Sequence, residues 1–308
     1  MRAFIFPGQG SQSVGMGAAL AEASRIARDV FDEVDEALGQ NLFRLMREGP
    51  DEELKLTENA QPAIMAHSIA VLRTMGVRVA DVANFVAGHS LGEYSALCAA
   101  GSFSLLTTAK LLRLRGQAMQ EAVPVGEGAM AALLGSDLAL AQKIAEASAE
   151  GEVCTVANDN DPSQVVISGA KGAIDRAVEI AKDMGAKRAV LLPVSAPFHC
   201  RLMQPAAEAM ADALSYVVVQ PPAVPLFANV TAEPATNPDT IRNQLVEQVT
   251  GMVRWRESVA NMFNCGAHEF VELGGKVLGS MVKRITPDAK VTSVVTMEDI
   301  EALAKEIA

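Results

Sequence analysis

A serine flanked by glycines, Gly88-His89-Ser90-Leu91-Gly92, follows an apolar run from Val82 to Ala87. It precedes Tyr94 to Ala100, a stretch that reads as a helix stopped by Gly101. Strand, tight turn and helix are the setting in which Gly-x-Ser-x-Gly becomes a nucleophile elbow. The glycines leave room for a strained turn that holds the hydroxyl clear of the backbone, and the helix aims its N-terminal N–H groups at the same spot. Read alone, the motif is equally a plain strand-to-helix turn. A serine nucleophile also needs a base. Of the four histidines, His67 falls in a helix, His89 points away if Ser90 points out, and His268 precedes a strand. His199, on the Pro-fixed approach Val194-Ser195-Ala196-Pro197-Phe198, is the best placed.

Arg115 is the third chemical feature. On a helix from about Leu105 to Ala122, it falls within the apolar stripe of Leu111, Leu112, Ala118, Met119 and Ala122. Lys110, Arg113, Gln117 and Gln120 take the opposite face, so Arg113 is expected to be a solvated charge. A guanidinium removed from water needs a partner. Two readings stay open for Arg115: a buried salt bridge within the chain, or a fork that grips a substrate carboxylate bidentately. Pro7-Gly8-Gln9-Gly10-Ser11-Gln12 is a Gly-rich turn without the Lys of a phosphate loop and without Gly-x-Gly-x-x-Gly. It is either an ordinary turn or a place where backbone N–H groups meet an anion. Gln61, ahead of Pro62, reads as a helix cap or a ligand contact. Asn158 and Asn160, in Asn158-Asp159-Asn160-Asp161-Pro162, read most simply as turn formers.

The elements that must position these residues alternate between strand and helix. Ala3 to Phe6 is a first strand, and residues 18–75 are helical in pattern, broken near Gly39 and Gly49-Pro50. From Gly126 to Val194 the order is β-α-β-β-α-β, a ferredoxin-like arrangement. Its strands are expected at Ala129–Leu134, Val153–Ala157, Gln164–Ser168 and Arg188–Pro193, with helices at Ser136–Ala149 and Lys171–Met184. After it come extended Pro221 to Phe227, a helix through Leu245 to Val249, strand Phe270–Leu273, helix Val277–Ile285, strand Val291–Val295 and a last helix from Met297. The expected fold is α/β, a large core with a mostly parallel sheet and a small inserted subdomain. Residues 1–124 and 195–308 form the core, and 125–194 the insert.

Composition narrows the function. The chain has 308 residues, half of them hydrophobic, and a net charge of −11, which argues against nucleic acid as the main partner. No run of about 18 apolar residues occurs, so no membrane span is expected. The start lacks the length and cleavage site of a signal peptide. Cys98, Cys154, Cys200 and Cys265 are scattered without metal-ligand spacing, as free thiols of a reducing cytoplasm would be.

Five segments occur in a telling order: Phe6-Pro7-Gly8-Gln9-Gly10-Ser11-Gln12, Gly88 to Tyr94, Arg115-Gly116 with Met119, Ser195 to His199, and Gln244-Leu245-Val246 with Gln248-Val249. Together they resemble the malonyl-CoA:acyl carrier protein transacylase family of fatty-acid synthesis, from residue 3 to about 295. The resemblance implies an α/β-hydrolase-like core, Ser90 as the acylated nucleophile and His199 as its base. It implies an oxyanion hole from the N–H groups of Gln9 and Leu91, and Arg115 paired with the malonyl carboxylate. The family's histidine is oriented by a backbone carbonyl, which matches Gln248 here. Gln61, Asn158 and Asn160 match positions that line the acyl-CoA or pantetheine cleft, Met119 joins Arg115 as a substrate-binding residue, and Phe198 beside the base is expected to favour a small acyl group. Cys200 departs from the small hydroxyl residue usual after the histidine, and its oxidation is expected to inhibit. The implied substrates are malonyl-CoA and the phosphopantetheine thiol of acyl carrier protein, with no resident cofactor or metal, in a cytoplasmic monomer. The family's carrier is acidic, so docking on this acidic chain calls for a local cationic patch, with Lys187-Arg188 and Lys283-Arg284 as candidates. A serine thioesterase, a polyketide malonyl transferase and a non-catalytic carrier-docking subunit are the alternatives.

Overall fold

The computed structural model describes residues 1–307. Strand β1 (Arg2–Phe6) leads into α1 (Ala18–Ala23), α2 (Arg25–Leu38), α3 (Leu42–Glu48), α4 (Asp51–Leu54), α5 (Thr57–Met75) and α6 (Val79–Val82). Strand β2 (Phe85–Gly88) enters the serine turn, α7 (Gly92–Ala99) leaves it, and α8 (Leu105–Glu121) follows. The insert runs β3 (Gly128–Leu134), α9 (Leu138–Ala149), β4 (Cys154–Asp161), β5 (Gln164–Ala170), α10 (Lys171–Ile180) and β6 (Arg188–Leu191). A 3₁₀ turn (Arg201–Met203) then precedes α11 (Gln204–Ser215), β7 (Leu226–Phe227), β8 (Pro234–Ala235), α12 (Pro238–Thr250) and α13 (Trp255–Asn264). The chain ends with β9 (Glu269–Leu273), α14 (Leu278–Ile285), β10 (Lys290–Val294) and α15 (Met297–Ile307).

The main sheet has the order β10-β9-β1-β2-β7-β8. Its first five strands pair in parallel and the short β8 is antiparallel. Because side chains alternate across a strand, β1 feeds two cores. Phe4 and Phe6 join a core with α2, α5 and α8, while Ala3 and Ile5 join one with α13 and α14. The insert is a second sheet, order β4-β5-β3-β6, antiparallel throughout, with its own core beneath α9 and α10.

Side-chain caps fix several helix starts. Ser24 accepts from the Ala27 N–H, Ser104 from Thr107 and Asn237 from Thr240, each satisfying an orphan donor of the first turn. Helix α5 is buried along most of its length, so its polar side chains must find partners inside the protein.

Four local expectations are corrected. The apolar run before the elbow is not one strand, since Val82 closes helix α6 and pairing with β1 begins at Phe85. Pro62 lies inside α5, which starts at Thr57, so Gln61 is not at the helix start. Asn158 to Asp161 are not a turn. They continue β4 through two register shifts, because backbone pairing with β5 on one side and with Val253 on the other holds them extended. The C-terminal limits of α10 and β6 fall short of Met184 and Pro193.

Candidate active site

The C-terminal ends of β1, β2 and β7 meet at one point, as parallel α/β sheets dictate for their ligand sites. The chain after β1 brings Gln9, the turn after β2 brings Ser90, and the residues after β7 bring Asn229. Ser90 sits at φ 53°, in the left-handed region, and the two glycines make that turn feasible. A Cβ on Gly88 would lie 1.9 Å from the Gly92 carbonyl, and one on Gly92 would lie 2.3 Å from the Phe6 oxygen. Asn229 clamps the turn, accepting from the Ser90 N–H at 2.8 Å and donating to the Gly88 carbonyl at 2.7 Å.

His199, also left-handed at φ 58°, lies 2.8 Å from the Ser90 hydroxyl through Nε2. Its Nδ1 is 2.9 Å from the Gln248 carbonyl on α12. A carbonyl can only accept, so Nδ1 carries the proton and the Nε2 lone pair faces the serine. Burial and the nearby Arg115 cation push the imidazole down to about 3, which keeps it neutral.

Arg115 completes the group. A Cβ on Gly116 would meet the Glu58 Cα at 2.5 Å, so only glycine lets α8 approach α5 this closely. The adjacent Arg115 thereby donates to Gln61 Oε1 at 2.7 Å, and across the site to Gln248 Oε1 at 2.8 Å and Ser90 Oγ at 3.1 Å. Its side chain is 1% exposed, and among the described residues no carboxylate lies within ion-pair distance of it. Its Nε has no partner. Of the two readings open for Arg115, the intrachain salt bridge is excluded. A buried cation held by neutral amides beside an activated serine suits acyl transfer from an acid-bearing substrate.

The chain matches the acyl transferase domain model over residues 3–294. Malonyl CoA-acyl carrier protein transacylase of Bacillus subtilis (strain 168) is 46% identical over 304 residues, 97% of this chain and 95% of that protein. The Escherichia coli (strain K12) protein of the same name is 44% identical, covering 99% of both chains. This chain belongs to the malonyl CoA-acyl carrier protein transacylase family. The crystal structure of acyl-carrier-protein S-malonyltransferase from Bartonella henselae superposes with a TM-score of 0.97, at 54% identity and 99% coverage of each chain. A malonyl-transacylase solved with a type II PKS acyl carrier protein superposes at 0.96, with 38% identity and 99% of each chain covered.

In this malonyl transacylase family member, a cleft of about 370 Å³ is lined by Gln9, Gln61, Ser90, Leu91, Arg115, Met119, Asn158, Phe198 and His199. The N–H groups of Gln9 and Leu91 donate to no other described group. Gln61 is buried and also reaches Met119 Sδ at 3.7 Å. Asn160 contacts the site through His89, whose Nε2 is 2.8 Å from Asn160 Oδ1. His89 therefore ties the elbow to the insert. His67 is neutral in the core, driven to about 4 by burial.

Other assignments change. Arg113 is half-buried, not solvated, and its guanidinium bridges Asn59 at 2.7 Å and Gln40. Arg284 is committed to the fully buried Asp161 at 2.8 Å, so a partner's carboxylate would have to displace that ion pair. Lys283 reaches the Pro287 carbonyl, and the Lys187 stem packs over Gly135. Arg188 begins β6, four residues and about 13 Å of strand from the cleft-lining Leu192. Cys200 is buried, its thiol pushed up by burial and its sulfur on the Pro197 carbonyl, which makes it a poor target for oxidants.

Sequence reasoning missed Asn229 and the roles of Glu93 and the Gln248 side chain. Glu93 accepts from Gln248 Nε2 inside the protein. A lone carboxylate in the otherwise uncharged α7 was the available signal, since a buried charge demands a partner. Asn229, just after an apolar strand at the ligand end of the sheet, offered a weaker one.

Proposed function

We propose that this chain is a malonyl-CoA:acyl carrier protein S-malonyltransferase that supplies fatty-acid elongation through a malonyl-serine intermediate. The observation that carries the reading is Ser90 Oγ held between a neutral imidazole at 2.8 Å and, at 3.1 Å, a guanidinium that is bound by neutral amides and pairs with no carboxylate among the described residues. As Oγ attacks the malonyl thioester, His199 Nε2 takes its proton. The N–H groups of Gln9 and Leu91 hold the oxyanion, a contribution of about 3–4 kcal/mol per donor in comparable sites. Collapse expels the coenzyme A sulfur, which takes the proton from His199. The carrier's phosphopantetheine thiol then gives its proton to His199 and attacks the serine ester, and collapse expels Ser90 Oγ, which takes that proton back from His199 and leaves the malonyl group on the carrier. Kinetics are ping-pong.

Arg115 turns from Ser90 to the malonyl carboxylate, with Gln61 and Met119 setting its position. Phe198 limits acyl size, and Asn158 with the His89–Asn160 pair lines the pantetheine arm. Coenzyme A and phosphopantetheine are substrates, and no resident cofactor takes part. The α/β-hydrolase-like core (1–124 and 195–308) carries nucleophile and base, and the ferredoxin-like insert (125–194) closes the cleft. The enzyme acts as a cytoplasmic monomer. No helix among the described residues is long and apolar enough to cross a membrane. Carrier protein docks on Lys187, Arg188 and Lys283, so charge reversal there raises the KM for carrier and leaves that for malonyl-CoA nearly unchanged.

Intact mass after brief exposure to malonyl-CoA tests the reading. Wild type is expected to hold one malonyl adduct until holo carrier protein removes it, and Ser90→Ala none. Rapid release of free malonate would make the protein a thioesterase, and no adduct on wild type a docking subunit. The likeness to a transacylase bound to a type II PKS carrier supports a polyketide role as the second reading. Transfer to fatty-acid and polyketide carriers separates the two.

A further inference from the structure

Glu93, in the first turn of α7, is 1% exposed and plays no part in the mechanism above. Its carboxylate accepts from Gln248 Nε2 and, at 3.4 Å, from the Asn229 N–H. The other end of the Gln248 amide, Oε1, accepts from Arg115 Nη2 at 2.8 Å. The same Nε2 also reaches the Ser90 carbonyl at 3.0 Å. Gln248 therefore bridges an anion and a cation that do not touch each other.

We infer that Glu93 is a specificity-determining positioning residue, which gives Arg115 a counter-charge one amide away and so keeps the fork available for the substrate's carboxylate. The inference rests on the malonyl reading of Arg115. Both the polarity of the Gln248 amide and the occupancy of the Arg115 fork carry it. An ionised carboxylate only accepts, so Gln248 must turn its –NH₂ toward Glu93 and its oxygen toward the guanidinium. The reversed amide would set donor against donor and drive Arg115 out of position. Second, a carboxylate in direct contact would neutralise Arg115 but occupy the N–H groups that the substrate needs. Glu93 offsets part of the cation's burial cost without that competition. Burial raises the Glu93 carboxyl to about 7, with Gln248, the Asn229 N–H and the Arg115 cation opposing the rise, so the counter-charge is present above that pH and the variants are compared near pH 8.

The test compares malonyl-CoA with acetyl-CoA in wild type, Glu93→Gln, Glu93→Asp, Gln248→Met and the Glu93→Gln/Gln248→Met double variant. Steady-state transfer to holo carrier gives kcat/KM, and intact mass gives single-turnover acylation. Glu93→Gln is expected to lower malonyl kcat/KM about tenfold, mainly through KM, and to change acetyl transfer less than about twofold. Glu93→Asp recovers part of the loss. Gln248→Met, which also removes the direct amide partner of Arg115, shows a malonyl loss at least as large as that of Glu93→Gln, and the double variant falls no further than Gln248→Met. Equal loss on both substrates, an unchanged ratio, or a gain in malonyl preference overturns the inference. Should Glu93→Gln not fold, Glu93→Asp decides on the same ratio, since its shorter carboxylate draws back from Gln248 Nε2 and should lower malonyl preference part-way. Failure of wild type itself to form a malonyl adduct would instead remove the underlying reading, and wild type alone reveals that.

Discussion

On the proposed mechanism, Arg115→Ala removes the group that meets the free carboxylate of the malonyl thioester, and that carboxylate is then buried without a counter-charge. Malonyl transfer by Arg115→Ala is expected to fall at least about a hundredfold, while acetyl transfer holds or rises. Kinetics on the two thioesters check this, and equal losses would refute the role. His199 gives a pH prediction. Its pKa is depressed to about 3, so the base is neutral far below the usual histidine range. Acylation by acetyl-CoA, which does not draw on the Glu93 counter-charge, should therefore show no inflection near pH 6.5. Removing the Arg115 cation removes one cause of the depression, so the acid limb of the residual acetyl activity in Arg115→Ala moves up. The same shifts make stability depend on pH. His199 and His67 are held neutral in the fold, whereas the unfolded chain protonates near 6.5. Their contribution is intact above that value and declines as the pH falls toward 4. Urea midpoints between pH 7 and 4.5 measure the decline, and His67→Gln should make it shallower.

The elements owe their placement to a few close approaches. Gly88→Ala drives a methyl into the Gly92 backbone, and an enzyme that folds without any acyl adduct is the expected result by intact mass. Gly116→Ala pushes α8 from α5 and should raise the malonyl KM through Arg115 and Gln61. How far such features were legible depends on their range. The elbow was visible because strand, glycine spacing and helix are all local. The apolar stripe of α8 showed that Arg115 faces inward, but its partners sit on α5 and α12, 54 and 133 residues away. No periodicity reports such distances, so the salt bridge and the empty fork stayed equal alternatives. The role of Gln248 came from family resemblance alone, since a backbone carbonyl has no side-chain signature. Asn158 to Asp161 were misread because turn propensity is local, whereas the pairing that keeps β4 extended comes from β5 and Val253.

Across the whole molecule, β4 is the seam. Asp159 pairs with Arg256 on α13 and Asp161 with Arg284 on α14, while Asn160 reaches the elbow through His89. Backbone bonds from Asp159 to Val253 and from Val253 to Ala157 run between them. Arg284→Ala strands the buried Asp161 carboxylate and should cost about 2 kcal/mol, read as a lower urea midpoint. With so many ties across the seam, calorimetry of the intact protein should show one endotherm, not two. The ties also cross long stretches of sequence, 97 residues for one arginine and 123 for the other. A chimera that exchanges residues 125–194 between relatives would therefore transplant the acids and leave their cations behind. Where the relatives differ at positions 256 and 284, such hybrids should be recovered only when those positions travel with the graft, which makes the two arginines the hidden ends of a modular exchange.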